Sequence, residues 1–438
     1  MFFPSIGLVF KVARSLLVDL YLLSERKYYT SIMGGTVCKD VLPVSGYTGV
    51  SMQNKPLRST DIRERNEKII LRLIRDRISL SQSETVLATG LKAPSVFRIF
   101  TELERKGIIV LSSSKVDMED RKGRKPSLYS INSASFYAVG VDFWSGSAAV
   151  SIADFCGNTL HTDLTLFEKS VSADKAVAVL IAMVERAIRT SGVAIPRILG
   201  IGVGAPGRVD MEKGTVISYP RITGMEAFPL SEKLAVHFGL PVYLQNNCAL
   251  IALSERRYGR AKDVDSLLTI LIRSGVGGAF IDRGRLFTAR GRSAMEIGHM
   301  SIACDDRPCS CGGNGCLETW ISEDAVVADL GTAFGLRSFD DLEEAIKGSR
   351  ERVETAMTPA LEVFERGIRN LYQLFSPDAF LVVSRSAAYA GILREHMQRA
   401  CTDLLRADGG KVAFLADQYD PAAAGRGAAD LVFDRYLE

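Results

Sequence analysis

Three cysteines fall within eight residues, Cys309, Cys311 and Cys316, and His299 lies ten residues before the first of them. Three thiolates and one imidazole make a complete tetrahedral set for Zn2+. Gly312, Gly313 and Gly315 let a tight loop gather these ligands, because glycine accepts backbone conformations that side chains resist. Four protein ligands leave no position open for water, so the metal would be structural. The competing reading is a group of free thiols beside an unrelated histidine. The other cysteines, Cys38, Cys156, Cys248, Cys304 and Cys401, are scattered singly. A secreted disulfide scaffold is usually denser, so this usage favours a reducing, cytoplasmic compartment.

The chain around the cluster has 438 residues, 47% hydrophobic and 24% charged, a globular balance. That length suggests about three structural units. Charge divides them unevenly. Residues 1–55 carry 6 Lys/Arg against 3 Asp/Glu, residues 56–133 carry 16 against 10, and residues 134–438 carry 32 against 38. A small basic module joined to an acidic body points to a nucleic-acid partner. Residues 1–55 read as an extension and linker. Their apolar start is interrupted by Lys11, Arg14 and Asp19, unlike a membrane span or a signal peptide.

Residues 56–133 read as a winged helix-turn-helix. Ile62, Ile69, Ile70, Leu73, Ile74 and Ile78 suggest one apolar face of a helix over 61–77. A second helix over 80–89 can be capped by Ser81 or Ser83, with Glu84 at capping-box spacing from Ser81, and ends at Gly90. A third, within 91–109, has Pro94 in its first turn and stops at Gly107. Lys92, Ser95 and Arg98 lie near its start, where a recognition helix meets phosphates and base edges. Short strands at 108–112 and 128–131 flank a charged hairpin. Arg121, Lys122, Arg124 and Lys125 cluster at its tip, placed to reach a phosphate backbone or minor groove. The alternative is a protein-docking module whose charges are solvated.

From residue 134 the pattern becomes α/β. Residues 136–161 suggest paired strands, 173–192 an amphipathic helix, and 198–207 an apolar strand entering a glycine turn. Residues 241–259 read as strand, polar corner and helix, and 267–287 as strand, glycine turn and returning strand. Polar residues at the ends of such strands are where open sheets place ligands.

The order of motifs resembles the ROK family of repressors, open reading frames and kinases. The resemblance spans about residues 60–430. It rests on EIGHMSIACDDRPCSCGGNGCLETW at 296–320, with GVGAPG, the Gln245–Asn246–Asn247 corner and GVGG in the family's order. It implies a two-lobed, actin-like (ribonuclease H-like) ATPase fold, with an N-terminal winged helix in the repressor branch. It also implies a sugar site at Asn246, Glu296, His299 and Glu318. There His299 would give one ring nitrogen to zinc, within a loop over 299–316, and the other to the sugar.

Three departures separate the chain from a kinase. Asn247 stands where the resemblance expects the aspartate that deprotonates the attacking hydroxyl. An amide is no base at neutral pH, although it can still hold a sugar hydroxyl by hydrogen bonding. The phosphate turn, Asp-x-Gly-Gly-Thr in kinases, reads Asp142–Phe143–Trp144–Ser145–Gly146–Ser147 here. Near the C-terminus, Ser384–Arg385 stands where relatives carry a Gly-Gly pair. Gly275, Gly277 and Gly278 persist. These features imply a bacterial, sugar-responsive DNA-binding regulator, most simply a repressor, with no ATP cofactor and no catalytic residues. Its partners would be operator DNA, a monosaccharide or sugar derivative, and a second copy in a homodimer or dimer of dimers. A phosphotransferase-system protein is a further partner that some family members use. The rival reading is an ATP-dependent sugar kinase with an appended DNA-binding module.

Overall fold

Helix α1 (Ser59–Arg77) buries Ile70, Leu71 and Ile74. Ile62, Ile69 and Ile78 stay exposed, so the buried stripe is narrower than the run of isoleucines suggests. Ile78 lies beyond the helix at a φ of 68° and turns the chain into strand β1 (Ser79–Ser81). The computed structural model describes residues 59–112, 127–168, 170–288, 295–303, 307–408 and 411–438. The proposed extension and linker (1–55) and the basic tip Arg121, Lys122, Arg124 and Lys125 lie outside the described residues.

Helix α2 (Gln82–Thr89) starts at the full Ser81–Glu84 capping box and ends at Gly90, which is left-handed at φ 69°. Helix α3 (Ala93–Arg105) carries Pro94 in its first turn and buries Val96, Ile99, Phe100 and Leu103. Strands β2 (Ile109–Leu111) and β3 (Leu128–Ile131) complete an antiparallel sheet in the order β1-β3-β2. The element order is helix, strand, helix, helix, strand, strand.

The body contains two five-stranded sheets with the same internal plan. In the first, β4 (Tyr137–Phe143) pairs antiparallel with β5 (Ser147–Asp154), which pairs with β6 (Thr159–Leu166). On its other edge β4 runs parallel to β7 (Ile198–Ala205), which runs parallel to β11 (Val242–Asn246). A small antiparallel sheet, β8 (Arg208–Asp210), β9 (Thr215–Ser218) and β10 (Glu226–Phe228), follows β7. In the second large sheet, β12 (Leu267–Ile272) pairs antiparallel with β13 (Val276–Asp282), which pairs with β14 (Arg285–Leu286). Its other edge runs parallel through β15 (Ala379–Ser384) to β16 (Ala413–Gln418).

Helices α4 (Ala173–Ser191) and α5 (Leu230–Phe238) share a core with the first sheet. Helices α7 (Glu318–Ile321), α8 (Glu323–Phe334), α9 (Leu342–Ala356), α10 (Thr358–Phe375) and α11 (Ala387–Asp408) accompany the second. Two helices link the halves. Helix α6 (Asn247–Tyr258) packs Cys248, Ala249, Ile251 and Ala252 with the second sheet. Helix α12 (Pro421–Tyr436) packs on the first. Contact there is very close. A Cβ on Gly140 would stand 1.8 Å from the Gly425 carbonyl oxygen, and one on Gly202 would stand 1.8 Å from that of Ala428. Only glycine lets the helix backbone lie against β4 and β7 in this way.

The hydrophobic core does not break at residue 133. Ile70, Ile74, Val96 and Phe100 belong to one cluster with Ala138, Phe155, Val432 and Phe433. The basic module is therefore seated on the first sheet and on α12.

Candidate functional site

The strands β4, β7, β11 and β12 end at one cleft, with a volume of about 490 Å³. Trp144, Pro206, Asn246, Asn247 and Arg273 line it at these strand ends. Glu296, His299, Cys311 and Glu318 line it from the cysteine-rich segment. All five residues expected to meet a sugar, Asn246, Asn247, Glu296, His299 and Glu318, thus border one cavity.

Their side chains are committed to different degrees. Asn246 caps α6: its Oδ1 accepts the N–H of Cys248 at 2.9 Å and of Ala249 at 3.3 Å. Its Nδ2 donates to the Gly207 carbonyl at 2.9 Å. Most of its hydrogen-bonding capacity therefore shapes the corner, and its remaining amide hydrogen is uncommitted. Asn247, the first residue of α6, is buried, and its amide has no hydrogen-bond partner among the described residues. Glu318 accepts from the Val276 N–H at 3.0 Å and from Arg221 at 3.3 Å, so its carboxylate is held in place by both. Glu296 is exposed and lies 3.9 Å from His299 Nε2.

The other nitrogen of His299, Nδ1, lies 3.4 Å from Cys309 Sγ, and Cys311 Sγ lies 3.7 Å from Cys316 Sγ. All four ligand atoms of His299, Cys309, Cys311 and Cys316 fall within 4.8 Å of one another. Usual zinc bond lengths in a tetrahedron give edges of about 3.6 Å for S···N and about 3.8 Å for S···S. The cluster is consistent with a zinc site. Burial, followed by the neighbouring thiols, pushes Cys316 up to about 12; a bound cation would favour the thiolates. Gly313 N–H donation lowers Cys311. Cys304 lies outside the described residues.

On the far side of the cleft the two sheets are bolted together. Arg273, directly after β12, donates from Nη2 to Asp142 Oδ2 on β4 at 2.7 Å. Their side chains are only 4% and 2% exposed. The Tyr419 hydroxyl donates to the same oxygen at 2.7 Å, and its ring lies under the guanidinium at 4.2 Å. Burial is the largest influence on Arg273 and opposes its charge, but Asp142, Tyr419 and Glu323 together outweigh it and raise the guanidinium above its ordinary value. Burial and then Asp142 raise the Tyr419 phenol well above its usual range, which keeps it a donor.

Trp144 fits between two cations of the other half, 5.6 Å from Arg273 and 5.5 Å from Arg385. Arg385 is itself held by Glu323 through two 2.8 Å bonds. Gly146 lets the indole fold back on its own turn, since a Cβ there would stand 2.3 Å from the ring. Phe143 is completely buried. Sequence reasoning saw the two aromatics and Arg385 but missed Arg273. The available signal was a charge directly abutting β12, a run that is apolar but for Thr269.

In the basic module, Lys92 and Arg98 are exposed and Ser95 is half-buried. Lys92 and Arg98 form no ion pair among the described residues. They leave the first turns of α3 open on the side opposite its buried Val96, Ile99 and Phe100.

Two sheets of matching plan, joined by helices around a cleft with a loop of one histidine and three cysteines at its rim, define a two-lobed α/β protein of the actin-like class. A sequence profile of the ROK family matches residues 138–435, and the chain belongs to that family. It is similar to the xylose repressor of Caldicellulosiruptor bescii, 25% identical over 353 residues, covering 77% of this chain and 88% of that protein. Among solved structures it resembles a ROK family transcriptional regulator described as a homologue of the Escherichia coli Mlc protein. The TM-score is 0.72 at 20% identity, covering 86% of this chain and 98% of that one. It also resembles a ROK family glucokinase from Streptomyces griseus in complex with glucose and AMPPNP. That match has a TM-score of 0.58 at 26% identity, covering 67% of this chain and 98% of that one. Among the described residues no helix is long and apolar enough to cross a membrane.

Proposed function

We propose that the chain is a sugar-responsive, DNA-binding transcriptional regulator, acting as a repressor, whose cleft binds a carbohydrate without phosphorylating it. The 56–133 module is then a winged helix. Lys92, Ser95 and Arg98 on α3, with Arg121, Lys122, Arg124 and Lys125 on the wing, contact operator DNA. Two-fold operators ask for two copies, so the working form is a homodimer or a dimer of dimers. The relatives named xylose repressor support the direction of control.

The observation that carries the non-catalytic reading is the Arg273–Asp142 pair. It occupies the space between the lobes with a protein cation, beside Trp144. Asn247 offers an amide where a general base is needed. The residues expected to meet a sugar support the binding half of the reading, since all of them border the cleft. The uncommitted Asn247 amide, Glu296, and the outward Nε2 of His299 present donors and acceptors to hydroxyls, while Glu318 is anchored by Val276 and Arg221. His299, Cys309, Cys311 and Cys316 would hold a structural Zn2+. The metal supplies no chemistry beyond fixing the loop, because all four positions are taken by protein.

Ligand control needs the sugar to prefer one of two states with different operator affinity. The test selects preferred DNA from a random library and titrates it with and without D-xylose, D-glucose and N-acetylglucosamine. A parallel coupled assay follows ATP-dependent phosphorylation. We expect a sugar-dependent shift in DNA affinity and no turnover. Robust turnover without sequence-selective DNA binding would overturn the reading in favour of the kinase.

A further inference from the structure

Helix α6 begins at the cleft and ends at the DNA-binding module's seat. Its first residue, Asn247, borders the cavity. Its last two, Arg257 and Tyr258, grip α12. Twelve residues make this a rod of about 18 Å. Arg257 donates to Asp430 Oδ2 at 3.2 Å and to Asp434 Oδ1 at 3.2 Å. The Tyr258 hydroxyl donates to Asp430 Oδ1 at 3.0 Å. The same two aspartates are held from the other side by Arg75 of α1. Arg75 Nη2 contacts Asp430, and Nη1 reaches Asp434 at 3.1 Å. Arg75 Nε also donates to the Phe155 carbonyl at 3.2 Å, and its guanidinium lies 5.0 Å from the Phe433 ring centre. A second tie joins α1 to this end of the body, from Arg72 to the Leu437 carbonyl at 2.9 Å.

Two arginines and two aspartates therefore form one cluster, contributed by the module, by α6 and by α12. Arg75 and Asp430 are 6% and 7% exposed. Burial opposes the charge on Arg257, and Asp430 and Asp434 together outweigh it and raise its pKa above the ordinary value. Buried charges tolerate little displacement, since each leaves the other uncompensated when it moves. Between its ends α6 has little slack against α12. A Cβ on Gly427 would stand 2.6 Å from the Leu250 carbonyl, and Ser254 donates to the Ala423 carbonyl at 3.0 Å. An axial shift or rotation of α6 must then be followed by Asp430 and Asp434, or it breaks their bonds to Arg75.

We propose that α6 carries the state of the cleft to the DNA-binding module, with Arg257, Asp430, Asp434 and Arg75 as its coupling. Occupancy at Asn246 and Asn247 repositions the start of α6, and the ionic cluster converts that shift into a change in how α1 is seated. The inference rests on the regulatory reading of the cleft. Arg257 is a positioning residue that touches neither ligand.

The experiment compares the full chain with Arg257→Met in two measurements. One is operator affinity with and without D-xylose, D-glucose and N-acetylglucosamine, alongside sugar affinity itself. The other is hydrogen exchange of α1 amides in the unliganded protein. Arg257→Met should keep sugar affinity within about twofold while the sugar's effect on operator affinity falls from about tenfold or more to under about threefold. Exchange in α1 should speed up by about tenfold with no change around Cys309–Cys316. A sugar effect as large as wild type in the folded variant, or unaltered α1 exchange, overturns the relay. Absence of any sugar effect in the wild type instead removes the regulatory reading, and α1 exchange then still decides whether α6 is tied to the module. If Arg257→Met does not fold, Arg257→Lys and Asp434→Asn, at positions with partial solvent access, carry the same measurements.

Discussion

Arg273 and Asp142 meet at 2.7 Å across the boundary between the two sheets, although 131 residues separate them in the chain. Replacing Arg273 with Met leaves a carboxylate buried without its cation. The cost should be about 3–5 kcal/mol, read from chemical denaturation. Pairing it with Asp142→Leu removes the orphaned charge and should recover a large part of that loss. A double variant less stable than Arg273→Met alone would contradict the account.

The same pair makes the phosphorylation prediction specific. Asn247→Asp supplies a carboxylate at the first turn of α6 but leaves Arg273 and Trp144 where they are. A coupled assay with ATP and hexoses should therefore register no turnover from the single variant. Turnover at rates ordinary for kinases would mean that the interlobe cluster does not exclude the nucleotide.

The metal prediction concerns content and stability together. Cys311→Ser removes one thiolate from the four-atom cluster. Zinc measured by plasma mass spectrometry should fall well below that of the unaltered chain, with a lower melting temperature. Equal zinc and equal melting would favour the free-thiol reading.

Ligand contacts separate in a similar way. Asn247→Ala should weaken sugar binding by about tenfold, the loss of one or two hydrogen bonds, without changing DNA affinity in the absence of sugar. Arg98→Ala should cost about 1–3 kcal/mol of operator affinity and leave calorimetric sugar binding unchanged. Loss of both activities in either variant would point to misfolding rather than to a contact.

Acid should loosen α2. The Ser81 hydroxyl, and then the Ser81 N–H, hold the Glu84 carboxyl below its ordinary value of 4.5. A depressed folded pKa contributes stability that is fully present above the unfolded value and is lost as pH falls through the lower, folded one. Hydrogen exchange in α2 should accelerate as pH drops below about 4.5, after correction for intrinsic rates, and Glu84→Gln should flatten that response. Ser81→Ala should cost about 1 kcal/mol at neutral pH.

Local chemistry in the chain was the readable part. Ser81, Glu84 and Gly90 mark α2 because caps act within one turn, and Cys309, Cys311 and Cys316 declare a cluster because their spacing is short. The strand–corner–helix around Asn246 was readable for the same reason, although the cap formed by the Asn246 side chain was not. The long-range pairings were hidden. Nothing in the periodicity of α1 tells that Arg75 is buried against Asp430, or that Ile62, Ile69 and Ile78 remain outside. Arg273 passed unremarked, because only the docking of the two sheets brings Asp142 to it. Such contacts depend on how two elements dock, which hydrophobic spacing within either element does not encode.

Gly140 and Gly202 admit the backbone of α12 against strands made more than two hundred residues earlier. During synthesis the basic head emerges well before the helix that forms its seat. A chain ending ahead of residue 421 would lack Val432 and Phe433, against which Ile70, Ile74, Val96 and Phe100 are packed. The module's stable seating is therefore a late event in synthesis, completed only when α12 has emerged.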